Sequence, residues 1–240
     1  MKKNKLYKLY GTMVLAVLAG IPSGYSQIQV GVKGGLNIAE LLTSKNQDVY
    51  IDGNEQAVKN FPRNDFNAGL LVSIPLSSKW SLQPEAVYSQ QGATARPSYG
   101  YVVSASEQYK LGYVNIPVLL KYRSPLGLFA ETGPQVGWLA SAKVSETVVG
   151  VDDATNYNVK SQFKSVDLGW TAGVGYLTPI DVGIDIRYNR GLSSINNASA
   201  SGIHSLPVEN GHMRNSVVQI GLFYLIGKSG LQAPHKDGDL

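Results

Sequence analysis

The sequence predicts an all-β fold, namely an eight-stranded, antiparallel, up-and-down transmembrane β-barrel. Three observations lead to this prediction. Apolar and polar residues alternate with a period of two along eight separate stretches, which is the pattern of strands. The connections between these stretches are alternately short and long. The N-terminal segment has the composition of an export signal, which directs the chain to the cell envelope.

Residues 1–26 are predicted to be a signal peptide. A cluster of lysines opens the segment, formed by Lys2, Lys3, Lys5 and Lys8. The apolar run that follows, from Met13 to Ile21, is shorter than the roughly 20 residues that a membrane-spanning helix needs. Gly24 and Ser26 supply the small residues of a cleavage site, so we expect cleavage before Gln27.

Charge and cysteine content exclude several classes of protein. The net charge of +4 equals the four lysines of the signal peptide, so the mature chain carries no net charge. A neutral chain without a basic patch predicts no nucleic-acid partner. The absence of cysteine excludes a disulfide framework, and no residue cluster has metal-site spacing, so neither a metal nor a cofactor is predicted.

The eight predicted strands each have close to the 9–11 residues that cross a bilayer at a tilt. They are Ile28–Ile38, Asp65–Leu76, Trp80–Ser89, Tyr113–Arg123, Gly127–Trp138, Val166–Tyr176, Ile180–Asn189 and Asn215–Ile226. The predicted barrel domain occupies residues 27–227, and a polar C-terminal tail follows at residues 228–240.

The connections alternate in length. Three are tight, at Ser77–Lys79, Ser124–Pro125 and Thr178–Pro179, and four are long and polar, at about residues 40–64, 92–108, 141–163 and 192–213. Short turns at one end and long loops at the other are typical of outer-membrane barrels with periplasmic termini.

Three prolines inside the predicted strands break the alternating pattern. They are Pro84, Pro117 and Pro134. Because proline removes a ladder donor, the sequence predicts a β-bulge at each of them.

The apolar face of the strands is predicted to face lipid rather than the barrel interior. It carries about forty side chains, many of them large, and an eight-stranded barrel is too narrow to hold them. The opposite face is rich in glycine, which suits a crowded lumen. Seven aromatic residues fall near the strand ends, as expected of girdles at the membrane surfaces: Trp80, Tyr122, Tyr176 and Tyr224 at the short-turn end, and Tyr88, Trp138 and Tyr188 at the other. Trp170 is an exception in mid-strand.

Charged residues on the inward face are predicted to form a polar network in the lumen. The candidates are Lys33, Glu85, Lys121, Glu131, Asp185 and Arg187. A conduit or ligand site is one interpretation. A plug of ion pairs is favoured, because buried charges must be paired and eight strands leave little channel.

Four segments of the chain form a recognisable set: GVKGGLNIA at 31–39, LQPEAVYSQQG at 82–92, YVNIPVLLKY at 113–122 and FAETGPQVGWL at 129–139. Together they resemble the PorT-type outer-membrane β-barrel proteins of the Bacteroidetes. The resemblance implies an eight-stranded outer-membrane barrel, and for the namesake protein a part in protein secretion. The last strand also resembles the signal that directs barrel insertion, through Gln219, Gly221, Tyr224 and Ile226.

The function predicted from these features is that of a non-enzymatic envelope protein in contact with outer-membrane lipid. Its long loops would bind a protein partner, and an accessory role in secretion is one form of this function. A hydrolase is the main alternative, with His204 as base, Ser205 as nucleophile and Glu209 as orienting acid. A narrow solute pore and a soluble periplasmic barrel with an apolar ligand are further alternatives.

Overall fold

The computed structural model describes residues 28–43, 48–51, 54–57, 59–96, 98–99, 103–148, 155–197 and 212–227. Eight long strands form the barrel: β1 Gln29–Thr43, β2 Arg63–Pro75, β3 Trp80–Arg96, β4 Val103–Arg123, β5 Leu128–Val148, β6 Val166–Leu177, β7 Val182–Gly191 and β8 Met213–Ile226. Among the described residues, no helix is long and apolar enough to cross a membrane.

The eight strands form a closed antiparallel ring. Each strand pairs with its neighbour in sequence, and β1 pairs with β8 to close the ring, with Val30 opposite Ile226. A closed ring has no edge strand, so every strand finds hydrogen-bond partners on both sides. The predicted eight-stranded up-and-down barrel is therefore confirmed.

Tight turns lie together at one end of the barrel, as predicted. Residues 76–79, 124–127 and 178–181 connect β2 to β3, β4 to β5 and β6 to β7. Two of these turns need a left-handed backbone, at Gly127 with φ 88° and at Asp181 with φ 62°. The first residues of β1 and the last residues of β8 lie at this same end, which is called the short-turn end below.

The prediction of long loops at the opposite end is wrong in part, because three strands continue into them. β3 runs on to Arg96, β4 begins at Val103 and β5 runs on to Val148, so that β4 and β5 have 21 residues each against 10 in β7. The upper parts of these strands, residues 91–96, 103–112 and 139–148, are called the extension.

Shorter elements complete the far end of the barrel. The strands Lys59–Phe61, Ser98–Tyr99 and Thr155–Asn158 pair with β3, β4 and β5, Asp48–Ile51 pairs with Asn54–Ala57, and Lys160–Gln162 form one turn of 3-10 helix. These pairings add ordered backbone to segments that the sequence predicts to be loops.

The predicted bulges at the three prolines are also wrong. The register of β3 with β4 is the same at Pro84–Val118 and at Val87–Asn115. The register of β4 with β5 also stays constant past Pro117, and Pro134 faces Trp170 of β6 in an unbroken register. The shift in the β4–β5 ladder instead lies between Gly112 and Tyr113, at the base of the extension.

The outward face of the barrel is apolar between its two ends, as predicted. Leu70, Leu222 and Val174 are among the most exposed large side chains, at 63%, 61% and 59%. The inward face is mostly polar, but it also buries apolar residues that the alternation did not predict. These are Leu71, Val87, Leu119, Phe129, Phe223 and Leu225.

This polarity reverses in the extension. Along the lower part of β4, Val118 and Leu120 are exposed while Asn115 is buried; further up the strand, Tyr109 and Leu111 are the buried side chains. An apolar wall facing outward suits lipid, whereas an apolar interior suits a fold surrounded by water. The reversal therefore marks the level at which the strands rise above the apolar part of the outward face.

Candidate functional site

The six charged residues predicted to face the lumen lie together inside the barrel. They come from five strands, β1, β3, β4, β5 and β7, and each residue is at most 6% exposed. Three are cations and three are carboxylates, so the formal charges of the cluster cancel. This cluster, Lys33, Glu85, Lys121, Glu131, Asp185 and Arg187, is called the charge layer.

Arg187 is the centre of the charge layer. Its two terminal nitrogens donate to the two carboxylate oxygens of Glu85, with Nη1–Oε2 2.8 Å and Nη2–Oε1 2.9 Å. Its Nε pairs with Glu131, and Nη2 lies 3.3 Å from Asp185 Oδ2. A planar guanidinium suits this arrangement, because it presents several donors in a fixed fork.

The two lysines complete the pairing of the carboxylates. Lys33 Nζ lies 3.5 Å from Glu85 Oε2 and 3.4 Å from Asp185 Oδ2. Lys121 Nζ lies 3.0 Å from Glu131 Oε2. Gln83 Nε2 donates to Glu85 Oε1 at 2.6 Å, which gives that carboxylate a further partner. Buried charges are tolerated only with such partners.

Apolar rings close the charge layer toward the short-turn end. Lys121 Nζ lies 4.0 Å from the ring centre of Phe129 and 4.8 Å from that of Phe223. The two rings pack edge to face, with their centres 5.9 Å apart. Glycine makes room for them, since a Cβ at Gly175 or Gly183 would collide with Phe129 or Phe223.

A layer of amides and hydroxyls lies on the other side of the charge layer. Asn37 Nδ2 donates to Ser89 Oγ at 2.9 Å, and Asn37 Oδ1 accepts from Asn67 and Gln219 at 2.7 and 3.0 Å. The cluster joins four consecutive strands of the ring, β8, β1, β2 and β3. Beyond it, Asn215 Nδ2 donates to Asp167 Oδ2 at 2.8 Å.

An apolar cluster fills the interior within and beside the extension. Its buried members are Leu41, Ala93, Ala95, Tyr109, Leu111, Tyr113, Leu139, Ala142, Val144, Val159, Phe163, Ile195 and Met213. They include residues of the connecting segments as well as of the strands, so chain outside the barrel strands packs into this end. This cluster is called the upper core.

Side chains fill the described part of the lumen in successive layers. The six groups of the charge layer are paired with one another, and Asp167 accepts hydrogen bonds from Asn215 and Ser193. No group of three or more His, Cys, Asp or Glu among the described residues has the arrangement of a metal site. The predicted hydrolase residues His204, Ser205 and Glu209 lie outside the described residues. So do residues 1–26, the cleavage position and the tail at 228–240.

The predicted girdle residues all lie on the barrel strands. Six of them have exposed fractions between 37% and 48%, namely Trp80, Tyr122, Trp138, Tyr176, Tyr188 and Tyr224, and Tyr88 is half-buried. Trp170 is also exposed, and its Nε1 donates to Thr132 Oγ1 at 2.8 Å. Of the four residues of the predicted insertion signal, Gln219 and Gly221 face the lumen, while Tyr224 and Ile226 face outward.

Comparison with known proteins identifies the family of the chain. The family model described as "Outer membrane protein beta-barrel domain" matches residues 21–197. No curated protein matches the chain.

Three solved structures are similar over most of the chain. Neisserial surface protein A shares 11% identity with a TM-score of 0.45, covering 83% of this chain and 99% of that one. Ail, the attachment invasion locus protein of Yersinia pestis, shares 11% identity with a TM-score of 0.41, covering 84% of this chain and 100% of that one. OprG of Pseudomonas aeruginosa shares 16% identity with a TM-score of 0.38, covering 85% of this chain and 99% of that one. These likenesses are too remote to bear on function.

The family match covers most of the chain, and the closed ring of eight strands agrees with it. The protein belongs to the outer-membrane β-barrel family.

Proposed function

We propose that the protein is a non-enzymatic envelope protein whose barrel is a closed anchor and whose extension binds another envelope protein. Assistance to protein secretion is the form of this function that the resemblance to PorT-type proteins implies. The observation that carries the proposal is the extension, because β4 and β5 are about twice as long as a crossing of the bilayer requires.

The extension has the construction of a rigid binding platform. Leu111 and Val144 are fully buried within the upper core, so the projecting strands have an apolar interior of their own. Polar side chains such as Lys143 and Thr147 face outward. A packed scaffold holds its surface in one conformation, which lowers the entropic cost of binding a partner.

The filled lumen favours an anchor over a pore. The charge layer, the layer of amides and hydroxyls around Asn37, and the upper core follow one another along the barrel axis, and their side chains are buried. An eight-stranded barrel is just wide enough for side chains to fill it. We expect the membrane girdles at the two rings of exposed aromatic residues, with the extension on the extracellular side.

Site-specific photocrosslinking in intact cells tests the platform. A photoreactive amino acid at Lys143 or Thr147 is expected to give a discrete adduct with one protein partner. The same group at Leu70, which is 63% exposed on the apolar face, is the matched control and is expected to give lipid adducts only. Absence of a discrete adduct from both platform positions would contradict the proposal. Planar-bilayer recordings provide the second arm, in which discrete current steps would contradict the closed lumen.

A further inference from the structure

A groove runs across the outward face of strands β3 to β8. Its volume is about 710 Å³. Small residues form its floor, among them Ala130, Ala172 and Gly173, and larger side chains such as Leu120 and Ile186 form its walls. Because the surrounding wall is apolar and exposed, the groove has the lining that an acyl chain needs.

A polar cluster lies at the end of the groove that is farther from the short turns. Tyr188 lines the groove, and its hydroxyl accepts a hydrogen bond from Arg190 Nη1 at 3.2 Å. Ser216 Oγ lies 3.3 Å from the same hydroxyl. Arg190 is opposite Trp170 in the β6–β7 ladder and opposite Ser216 in the β7–β8 ladder. The Arg190 guanidinium thus contacts a residue that lines the groove.

Exposed positive charge is concentrated on this same flank. Between residues 139 and 197 and between 212 and 227, the described basic residues that are exposed are Lys143, Lys160, Lys164, Arg190 and Arg214. Two acidic residues on this side are half-exposed, namely Glu146 in the extension and Glu40, which is opposite Ser216 in the β1–β8 ladder. The fully exposed charges of this flank are therefore cations, which outnumber the half-exposed carboxylates at the level where the outward face turns from apolar to polar.

We propose that this flank binds a phosphorylated glycolipid of the outer leaflet, with an acyl chain in the groove and a phosphate at Arg190 and Arg214. Arginine favours phosphate because its fork of donors matches the phosphate oxygens. The cations lie at the end of the barrel opposite the short turns, which in this family's membrane faces the outer leaflet. The proposed phosphate site is separate from the protein-binding platform, because neither Arg190 nor Arg214 belongs to the extension.

Lipid retention measured by native mass spectrometry tests the proposal. The full-length mature barrel is purified in detergent, delipidated and mixed with lipid A that carries its phosphates, with enzymatically dephosphorylated lipid A, or with phosphatidylglycerol. We expect binding of phosphorylated lipid A to be at least about ten-fold tighter than that of the dephosphorylated form, because each cation near the head group adds to the attraction.

Two variants address the two halves of the site. The double substitution Arg190→Gln and Arg214→Gln is expected to weaken binding of phosphorylated lipid A by about ten-fold and to leave the dephosphorylated form unchanged. Ala172→Phe, which fills the floor of the groove, is expected to weaken binding of both forms. Matched controls are Lys79→Gln, in an exposed turn at the short-turn end, and Ala68→Phe, on the exposed face of β2.

Several results would overturn the proposal. Equal binding of phosphorylated and dephosphorylated lipid A, or equal losses in Lys79→Gln and the double variant, would remove the phosphate site. Equal effects of Ala172→Phe and Ala68→Phe would remove the groove. Preference for phosphatidylglycerol would assign the site to a different lipid. The mobility shift of each variant between boiled and unboiled gels confirms that it has folded.

Discussion

In the lower part of the barrel the interior holds three cations and three carboxylates beside a small apolar cluster that includes Phe129 and Phe223, whereas in the extension it holds mainly apolar and tyrosine side chains. Both regions use the same strands, and β4 contributes Lys121 to the first and Leu111 to the second. The outside differs in the opposite sense, with Leu120 exposed below and Lys110 half-exposed above.

The difference shows that the solvent outside the strands decides which kind of side chain packs inside the barrel. In lipid the hydrophobic effect does not drive apolar residues inward, so the interior is held by paired charges and hydrogen bonds. In water the apolar interior itself stabilises the fold. A single strand can pass from lipid into water because its inward and outward faces exchange polarity between the two environments.

Removal of the central cation should have the largest effect in this comparison. Arg187→Ala leaves Glu85, Glu131 and Asp185 with two lysines, so we expect the free energy of unfolding to fall by about 3–5 kcal/mol. Urea titration in zwitterionic vesicles, followed by tryptophan fluorescence, measures the loss. Arg190→Ala, which removes an exposed guanidinium, should change stability by less than about 0.5 kcal/mol. Similar losses in both variants would contradict a structural role for the charge layer.

A charge placed on the outward face should have the second-largest effect, and the effect should differ between the lower barrel and the extension. Val118→Lys on the apolar face is expected to lower the free energy of unfolding by about 3 kcal/mol, because the ammonium group enters the lipid. Gln108→Lys, on the same strand within the extension, should have an effect near zero. The same titration measures both. A penalty of equal size at the two positions would place the extension inside the membrane.

A cavity in the upper core should have the smallest and most local effect. Leu111→Ala is expected to destabilise the extension by about 2 kcal/mol through lost burial. Hydrogen exchange should then quicken in residues 103–112 and 139–148, while the temperature at which the gel mobility shift disappears stays unchanged. Val118→Ala, on the lipid-facing side of the same strand, is the control. Faster exchange throughout all eight strands would show that the two regions unfold as one unit.

The sequence was most informative where the wall faces lipid. There the alternation is strict, and strands such as β6 and β8 lie within a few residues of their predicted bounds. It failed in the extension for two physical reasons. The outward face turns polar there, and the register shift next to Gly112 moves the inward positions of β5 from Leu139 to Ala142 and Val144. A period-two pattern that reverses and slips by one residue resembles a loop.

The sequence could predict which residues belong to the charge layer, but it could not predict which of them pair with one another. Arg187 and Glu85 were each predicted to face inward from their own strands, but their contact depends on how distant strands are staggered around the ring. The rings of Phe129 and Phe223 were missed because they occupy positions of the polar face. The glycines opposite them, Gly175 and Gly183, were the available signal, since a missing side chain on one strand leaves space for a large one nearby.

The closure of β1 on β8 has a consequence for the order of folding. Val30 pairs with Ile226, and Asn37 accepts a hydrogen bond from Gln219 across a separation of 182 residues. Until β8 is available, β1 presents an unpaired edge that invites association with other chains. Contacts between such distant residues form slowly, because a long loop must close first. The barrel therefore remains an open sheet with two exposed edges until its first and last strands meet.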